Sequence, residues 1–343
     1  MSTNEIASTC PVHRPQIDIV IVNWNAGAFL SRLISSIEQH GGTDVASVIV
    51  VDNGSTDGSQ DIQSDSLPLD VVMAGANLGF GRACNLGAKR GSAPYILFLN
   101  PDTMLLSDTL RTVLSQMERE ALSRVGVCGI RLIGKDGGVQ RHSAHIPKTA
   151  SMIWAATGMS ALFPSRFPGL HNTGFDHLST RTVDHVIGAF YLIRRKVFEE
   201  LSGFDERFFV YLEDLDLSAR VWSSGHEILY FADAAALHYG GGTSEQIKPQ
   251  RLAYSLESRI IYSFKHFSVF SAALVLLATM LIEPFPRLFR AGLRRSPEEA
   301  LETLKGYALL WRRLSERLIG SQKLVSRTST ASTYGGRNSD ESK

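Results

Sequence analysis

The sequence predicts an α/β fold, a mostly parallel sheet with helices on both faces, and three features of the text carry that expectation. From Ile17 onward, short β-branched runs alternate with helical periodicities, the pattern of successive βαβ units. The strand runs are apolar almost throughout, as required when helices cover both faces of a sheet. Polar residues collect directly after those runs, at the carboxyl edge where open α/β sheets bind ligands.

In order, "IDIVIV" reads as the first strand, "FLSRLISSI" as a helix, and "VASVIVV" and "LDVVM" as the next two strands. A glycine-punctuated helix ending by Arg90 leads to a fourth strand, "YILFL". The first strand is followed by "NWN", the second by "DNGSTDGS" and the fourth by "NPDT". Residues 140–182 are rich in proline, aromatics and small residues without a period, and read as long ordered loops. Regular structure resumes at "VDHVIGAFYLIRR", then a helix over 212–223, a strand "EILYF" and the turn "HYGGGTS". There is no internal repeat.

With 343 residues, 44% hydrophobic, 20% charged and a formal net charge of +1, the chain is neither disordered throughout nor a nucleic-acid binder at large. Cys10, Cys84 and Cys128 form no CxxC pair, which excludes a disulfide framework or zinc knuckle and fits a reducing cytosol. Residues 1–15 contain no apolar signal core and are expected to be flexible and unexported.

The character changes past residue 250. Residues 267–282 are sixteen uncharged residues, fewer than the roughly 20 that span a bilayer. From 284 to 327 ten Lys/Arg face four Glu. An apolar segment beside a basic amphipathic one suits an anionic membrane surface, the alternative being a helix buried on the catalytic domain. The expected division is 1–15 flexible, 16–250 catalytic, 251–322 helical and membrane-associated, and 323–343 a disordered Ser/Thr/Gly-rich tail.

Several residues have more than one reading. Asp52 opens "DNGSTDGS" and either shapes a strand-to-helix turn or accepts the imide N–H of a pyrimidine base, with Trp24 against the ring. "NLGFGRACNLG" does not match GxGxxG, so a dinucleotide fingerprint is absent. It still offers close backbone approach at glycines, with Asn77, Arg82 and Asn85 as arms toward a phosphate or base. Asn77 is equally an N-cap. Asp102 provides the carboxylate oxygen a hard divalent cation takes, and Mg²⁺ shares few protein carboxylates with substrate phosphates. Its alternative, capping the next helix, suits Asp108 better.

"FDERFFVYLEDLDLSARVW" concentrates acids after an aromatic run, where Glu213 and Asp214 are either first-turn dipole partners or a general base in a partly enclosed site. His238, at a strand end, either packs or completes a metal site. His142, His145, His171, His177 and His185 have no zinc-ligand spacing.

Together "IVIVNWN", "VIVVDNGSTDGS", "NLGFGRACNLG", "YILFLNPDT", "VDHVIGAFYLIRR", "GFDERFFVYLEDLDLSAR" and "LHYGGGTS" resemble the inverting GT-A glycosyltransferases of family 2, rhamnosyltransferase-like branch, over about residues 17–244. The resemblance implies a GT-A fold and a nucleotide-sugar donor, dTDP- or UDP-linked, with L-rhamnose from dTDP-rhamnose the leading choice. It implies a nucleotide side formed by Asn23, Trp24, Asn25, Asp52, Asn77, Gly79, Arg82, Asn85 and Asn100. It implies Mg²⁺ or Mn²⁺ held by Asp102 and His238, and Asp214, beside Glu213, as base for a one-step inverting displacement. The acceptor is then a lipid-linked glycan or saccharide at the inner face of the cell membrane. Two positions depart from the pattern: Asn100 replaces the first acid of DxD, and Cys84 stands where many relatives carry Arg.

Two other functions compete. A sugar-phosphate nucleotidyltransferase would need a glycine-rich, Lys/Arg-bearing loop after the first strand, and "VNWNAGAFLSR" has none. A non-catalytic sugar-nucleotide sensor or scaffold would not need Asp102 and Asp214 together.

Overall fold

The computed structural model describes residues 16–333 except 171, 173 and 241–247, with side chains described as far as 317. The N-terminal fifteen residues with Cys10, His171, the end of the "HYGGGTS" turn and residues 334–343 of the expected tail lie outside the described residues.

The first half follows the sequence closely. Strands β1 (Ile17–Asn23), β2 (Val45–Asp52), β3 (Leu69–Met73) and β4 (Tyr95–Leu99) lie parallel in the order β3-β2-β1-β4. Alternate residues feed two cores, one on each face of the sheet. Ile17, Ile19 and Ile21 join Val48, Val50, Leu97 and Leu99 on one face, under helix α1 (Ala28–His40). Val20 and Val22 join Ile49, Val51, Ile96 and Phe98 on the other, under α2 (Phe80–Ala88). The period of two in the side chains of a strand thus becomes two apolar layers.

Beyond β4 the sheet turns mixed. The added elements are β5 (Thr103–Leu105), α3 (Thr109–Met117), β6 (Val125–Ile133), β7 (Arg181–Thr182), β8 (Phe190–Arg194), α6 (Arg195–Glu200), α7 (Glu213–Ser223) and β9 (Glu227–His238). Strand β8 runs antiparallel to β4 and β6, β9 runs parallel to β6, and β5 runs antiparallel to β9. Sequence and structure part at two places. The expected strand "EILYF" continues to His238, because the alanine-rich stretch that follows still pairs with β6 and β5. The expected loop region contains α4 (Thr149–Thr157) and a short α5 (Met159–Leu162). In α4 the residues "SMIWAA" are apolar nearly all round and give no helical period, although Met152 and Ala156 are buried.

A helical layer closes the fold: α8 (Lys248–His266), α9 (Val269–Leu277), a π-turn at Ala278–Ile282, α10 (Pro284–Leu293) and α11 (Pro297–Thr333). It begins at Lys248 rather than 251, and α11 enters the stretch expected to be a tail. Buried charge clamps this layer to the sheet domain. Asp216 on α7, with no exposed surface, takes Lys265 Nζ at 2.7 Å and His266 Nε2 at 2.7 Å from α8, and Arg220 Nε at 2.9 Å. Burial alone would raise the Asp216 carboxyl, but hydrogen bonds from His266 and Lys265 outweigh it and hold it below the usual carboxylate range.

Candidate active site

Three loops after β1, β2 and β3 are stitched into one wall. Asn23 Nδ2 donates to Asp52 Oδ1 at 2.9 Å and to Ser59 Oγ at 2.9 Å. Asp52 Oδ2 accepts the N–H groups of Gly54 and Ser55, each at 3.0 Å. Asn25, in the left-handed region with φ 50°, accepts the Thr56 N–H at 2.8 Å. Asn53 Nδ2 donates to the Gly79 carbonyl at 3.1 Å and so pins the third loop to the second. Asn77 Oδ1 accepts the Gly79 N–H at 3.0 Å, an Asx turn ahead of α2, whose N-cap is Gly79 rather than Asn77. Gly79 needs both its freedoms: φ is +84°, and a Cβ there would lie 2.1 Å from the Phe209 carbonyl oxygen.

Three residues expected to face the nucleotide face inward instead. Asn23 and Asp52 have no exposed surface, because their side chains hold the turns together. Asn85 is buried, donating to the Phe204 carbonyl at 2.9 Å and accepting the Phe204 N–H at 2.8 Å, so it fixes the loop before α7. Trp24 and Asn25 remain half-buried and Asn77 exposed on the wall. Arg82 is exposed and 3.5 Å from Glu206. Cys84 is wholly buried and offers no group to a ligand.

The loop after β4 brings Asn100 and Asp102 to the carboxyl edge. Asn100 donates its N–H to the Ala189 carbonyl at 3.2 Å, and Thr103 Oγ1 donates to the same oxygen at 3.2 Å. The β5–β9 register pairs Thr103 with His238, and this sets Asp102 Oδ1 3.4 Å from His238 Nε2. Both side chains are about 90% buried, at 11% and 10% exposed. Asp108, not Asp102, occupies the N-cap of α3. Among the described residues no three His, Cys, Asp or Glu gather as a complete metal cage. An oxygen and a nitrogen at this spacing fit a cation that takes its other ligands from phosphates and water.

Residues Glu213 and Asp214 open α7, yet they face opposite ways. Tyr211 and Leu212 just before them both hold positive φ, 70° and 63°, strain of order 1–3 kcal/mol per residue that fixes the helix start. Asp214, its side chain 19% exposed, accepts the Gly188 N–H at Oδ2 and its neighbour Leu215 N–H at Oδ1, at 2.9 and 2.8 Å. His185 Nε2 lies 3.8 Å from the same Oδ2. Gly188 is one residue before Ala189, whose carbonyl receives the Asn100 N–H, so the Asp214 and Asp102 loops share one strut.

Glu213, expected beside Asp214 in the catalytic pair, turns inward. It is 5% exposed, and its Oε2 has no hydrogen-bond partner. Burial, and then the neighbouring Asp214 charge, push its carboxyl well above the usual range. Burial, with Glu213 and Asp214, likewise raises the Cys84 thiol. His142 is driven down to about 3 by burial and by His177, so it stays neutral.

Residues missed in the sequence are Asn53, which pins the third loop, Gly188 and Ala189, which join the two acids, and Gln140, which bonds His238 Nδ1 at 2.7 Å. Asn53 sits in a turn motif where any polar residue looks ordinary. The others act through backbone or across strands far apart in sequence.

Residues 18–202, more than half of the chain, match the family model "Glycosyl transferase family 2". The N-acetylglucosaminyl-diphospho-decaprenol L-rhamnosyltransferase of Mycobacterium tuberculosis is 29% identical over 84% of this chain and 98% of its own length. Rhamnosyltransferase WbbL of Escherichia coli is 25% identical over 71% of this chain and 91% of its own. Among solved structures, S. aureus TarS 1–349 with UDP-GlcNAc aligns with TM-score 0.52 at 15% identity, covering 85% of this chain and 79% of that one. The mannosyltransferase PcManGT of Pyrobaculum calidifontis, in complex with GDP-Man and Mn²⁺, aligns with TM-score 0.50 at 14% identity, covering 95% and 89%. These structural likenesses show the GT-A fold.

Proposed function

The chain belongs to glycosyl transferase family 2 and is a nucleotide-sugar-dependent glycosyltransferase, and from that premise we propose that it transfers L-rhamnose from dTDP-rhamnose, with inversion, onto a hydroxyl of a lipid-linked glycan. The observation that carries the mechanism is the strut between the two acids: Asp214 is aimed by Gly188, and Ala189 ties that loop to the one bearing Asp102. The rhamnosyl donor and lipid-diphosphate acceptor are supported by the names of the relatives.

Asp214 removes the proton from the acceptor hydroxyl as its oxygen attacks the anomeric carbon, and the bond to the donor diphosphate breaks on the opposite face. One displacement inverts the configuration. Asp102 and His238 are the residues that would hold Mg²⁺ or Mn²⁺. Bound there, the cation supplies charge neutralisation for the leaving group. Trp24, Asn25, Asn77, Arg82 and Asn100 face the nucleotide from the wall that Asn23, Asp52, Asn53 and the buried Gly79 brace, and the base is read at the turn Asp52 organises. Glu213 is buried behind Asp214, where burial and the Asp214 charge disfavour its ionised form.

A lipid-linked acceptor calls for a membrane face, and the helical layer offers one. Val269–Leu293 is 25 residues and contains an 18-residue window of mean hydropathy 1.8, long and apolar enough to cross a bilayer by length and composition. Its middle carries Glu283, 3% exposed and paired with Arg259 of α8 and Arg287, and Ala272, Val275, Ala278 and Met280 are buried. A segment fastened this way lies along the protein. Its outer edge exposes Phe270, Leu274, Leu277, Leu281, Phe285, Phe289 and Leu293, spaced three or four apart, with the π-turn adding a residue mid-stripe. Phe285, Phe289 and Leu293 are 71%, 69% and 71% exposed. With Arg290 and Arg294 beside it, the stripe suits seating in the interface of an anionic bilayer and supports a peripheral seat at the membrane.

The test is a panel of nucleotide sugars with Mn²⁺ and a polyprenyl-diphosphate-linked GlcNAc acceptor. Nucleoside diphosphate release with dTDP-rhamnose above the other donors is expected. Preference for another sugar would overturn the donor assignment, and pyrophosphate as product would overturn the reaction.

A further inference from the structure

We infer that Gln140 is a positioning residue that holds His238 in the form able to bind a metal, with Nδ1 protonated and Nε2 presenting its lone pair beside Asp102. The inference rests on the reading of Asp102 and His238 as a cation site.

Gln140 follows the turn that leaves β6, where Gly137 N–H bonds the Gly134 carbonyl and Gly134 N–H bonds the Gly138 carbonyl. Its own N–H donates to the Leu132 carbonyl at 2.8 Å, so the chain folds back along the end of β6. Strand β6 is paired with β9, with Ile133 opposite Leu237, and this carries the Gln140 side chain to His238.

Two hydrogen bonds then determine the proton. Gln140 Nε2 lies 2.9 Å from the His238 backbone carbonyl oxygen, which can only accept, so the amide nitrogen must face it. The amide oxygen is therefore the atom 2.7 Å from His238 Nδ1, and because it can only accept, Nδ1 must carry hydrogen. A neutral ring protonated at Nδ1 leaves Nε2 as a bare acceptor, and Nε2 is the atom 3.4 Å from Asp102 Oδ1. Two acceptors at this spacing repel unless a cation, or a proton on Nε2, lies between them. The same amide bonds both the ring and the backbone of His238, so it fixes ring orientation as well as tautomer. Partners of this kind around metal-bound histidines change metal affinity about 10- to 100-fold when removed.

The first experiment titrates Mn²⁺ into the full chain without donor, followed by electron paramagnetic resonance of the free ion. Gln140→Leu is expected to bind Mn²⁺ about 10- to 100-fold more weakly than wild type, His238→Ala at least as weakly. Gln140→Glu, which keeps an acceptor toward Nδ1, is expected to recover most of the affinity. If Gln140→Leu binds as wild type while His238→Ala does not, the inference fails and the cation site stands. If His238→Ala also binds as wild type, the cation-site reading falls and takes the inference with it. A second measurement needs no variant. With ¹⁵N-labelled histidine at alkaline pH, His238 in the wild-type chain is expected to show the Nδ1–H tautomer, and an Nε2–H ring would overturn the inference even if Gln140→Leu does not fold.

Discussion

Asp214 Oδ2 accepts the backbone N–H of Gly188 at 2.9 Å, so the carboxylate at the start of α7 is aimed by the loop that enters β8. That loop also receives the Asn100 N–H, and Asp214 and the Asp102 turn are therefore positioned together. Asp214→Asn keeps an oxygen that can accept from Gly188 but is a far weaker base. Turnover is expected to fall about 10²- to 10⁴-fold with donor affinity little changed. Steady-state kinetics with donor binding by calorimetry separates the two, and unchanged kcat would remove Asp214 from the chemistry.

Glu213 gives a pH signature with a definite sign. Its folded carboxyl ionises well above its unfolded value, because of burial and then the Asp214 charge. The folded state thus holds a proton that the unfolded state releases from about pH 4.5 upward. The stability Glu213 contributes is complete below that pH and is lost as pH rises toward the folded value, at up to about 1.4 kcal/mol per pH unit. Glu213→Gln is expected to melt higher than wild type by a margin that widens from pH 5 to pH 8, with catalysis nearly retained. A constant margin would mean that Glu213 is ionised in the folded protein.

Asp216 joins the sheet domain to the helical layer through Lys265 and His266. Asp216→Ala leaves those cations and Arg220 without their common partner and is expected to destabilise the fold by about 3–5 kcal/mol. The depressed Asp216 carboxyl contributes stability that is present above its unfolded pKa and lost as pH falls through the lower folded value. Denaturant melts of wild type and variant should converge in acid. Parallel curves would show that the clamp contributes little.

The apolar stripe on α9 and α10 gives a surface prediction. Phe285→Ser with Phe289→Ser removes two side chains that are 71% and 69% exposed, so folding stability should change little. Co-sedimentation with anionic vesicles is expected to drop at least tenfold, while turnover on a water-soluble acceptor stays near wild type. Equal vesicle binding by the double variant would place the membrane contact elsewhere.

Much of the fold was legible because β1 to β4 are short apolar runs bounded by turn residues, and a buried parallel strand leaves few other readings. What stayed hidden depends on partners. The alanine-rich half of β9 has weak strand propensity and exists because β5 and β6 flank it. The sequence put Glu213 and Asp214 in one first turn, but successive helix positions point about 100° apart, so one acid meets Gly188 and the other packs near Cys84. Asp102 and His238 are brought together by an antiparallel register that no local pattern announces. Asn85 looked like an arm toward the donor, although the loop at Phe204 covers it.

The central claim is that Asp214 and Asp102 perform one metal-assisted sugar transfer, and the most direct measurement is mass spectrometry of a polyprenyl-diphosphate-GlcNAc acceptor incubated with dTDP-rhamnose and Mn²⁺. The wild-type chain should add one deoxyhexose, and Asp102→Ala and Asp214→Asn should each lose at least about 99% of that product while remaining folded. Undiminished product from either variant, or none from the wild type with this donor and acceptor, would contradict it.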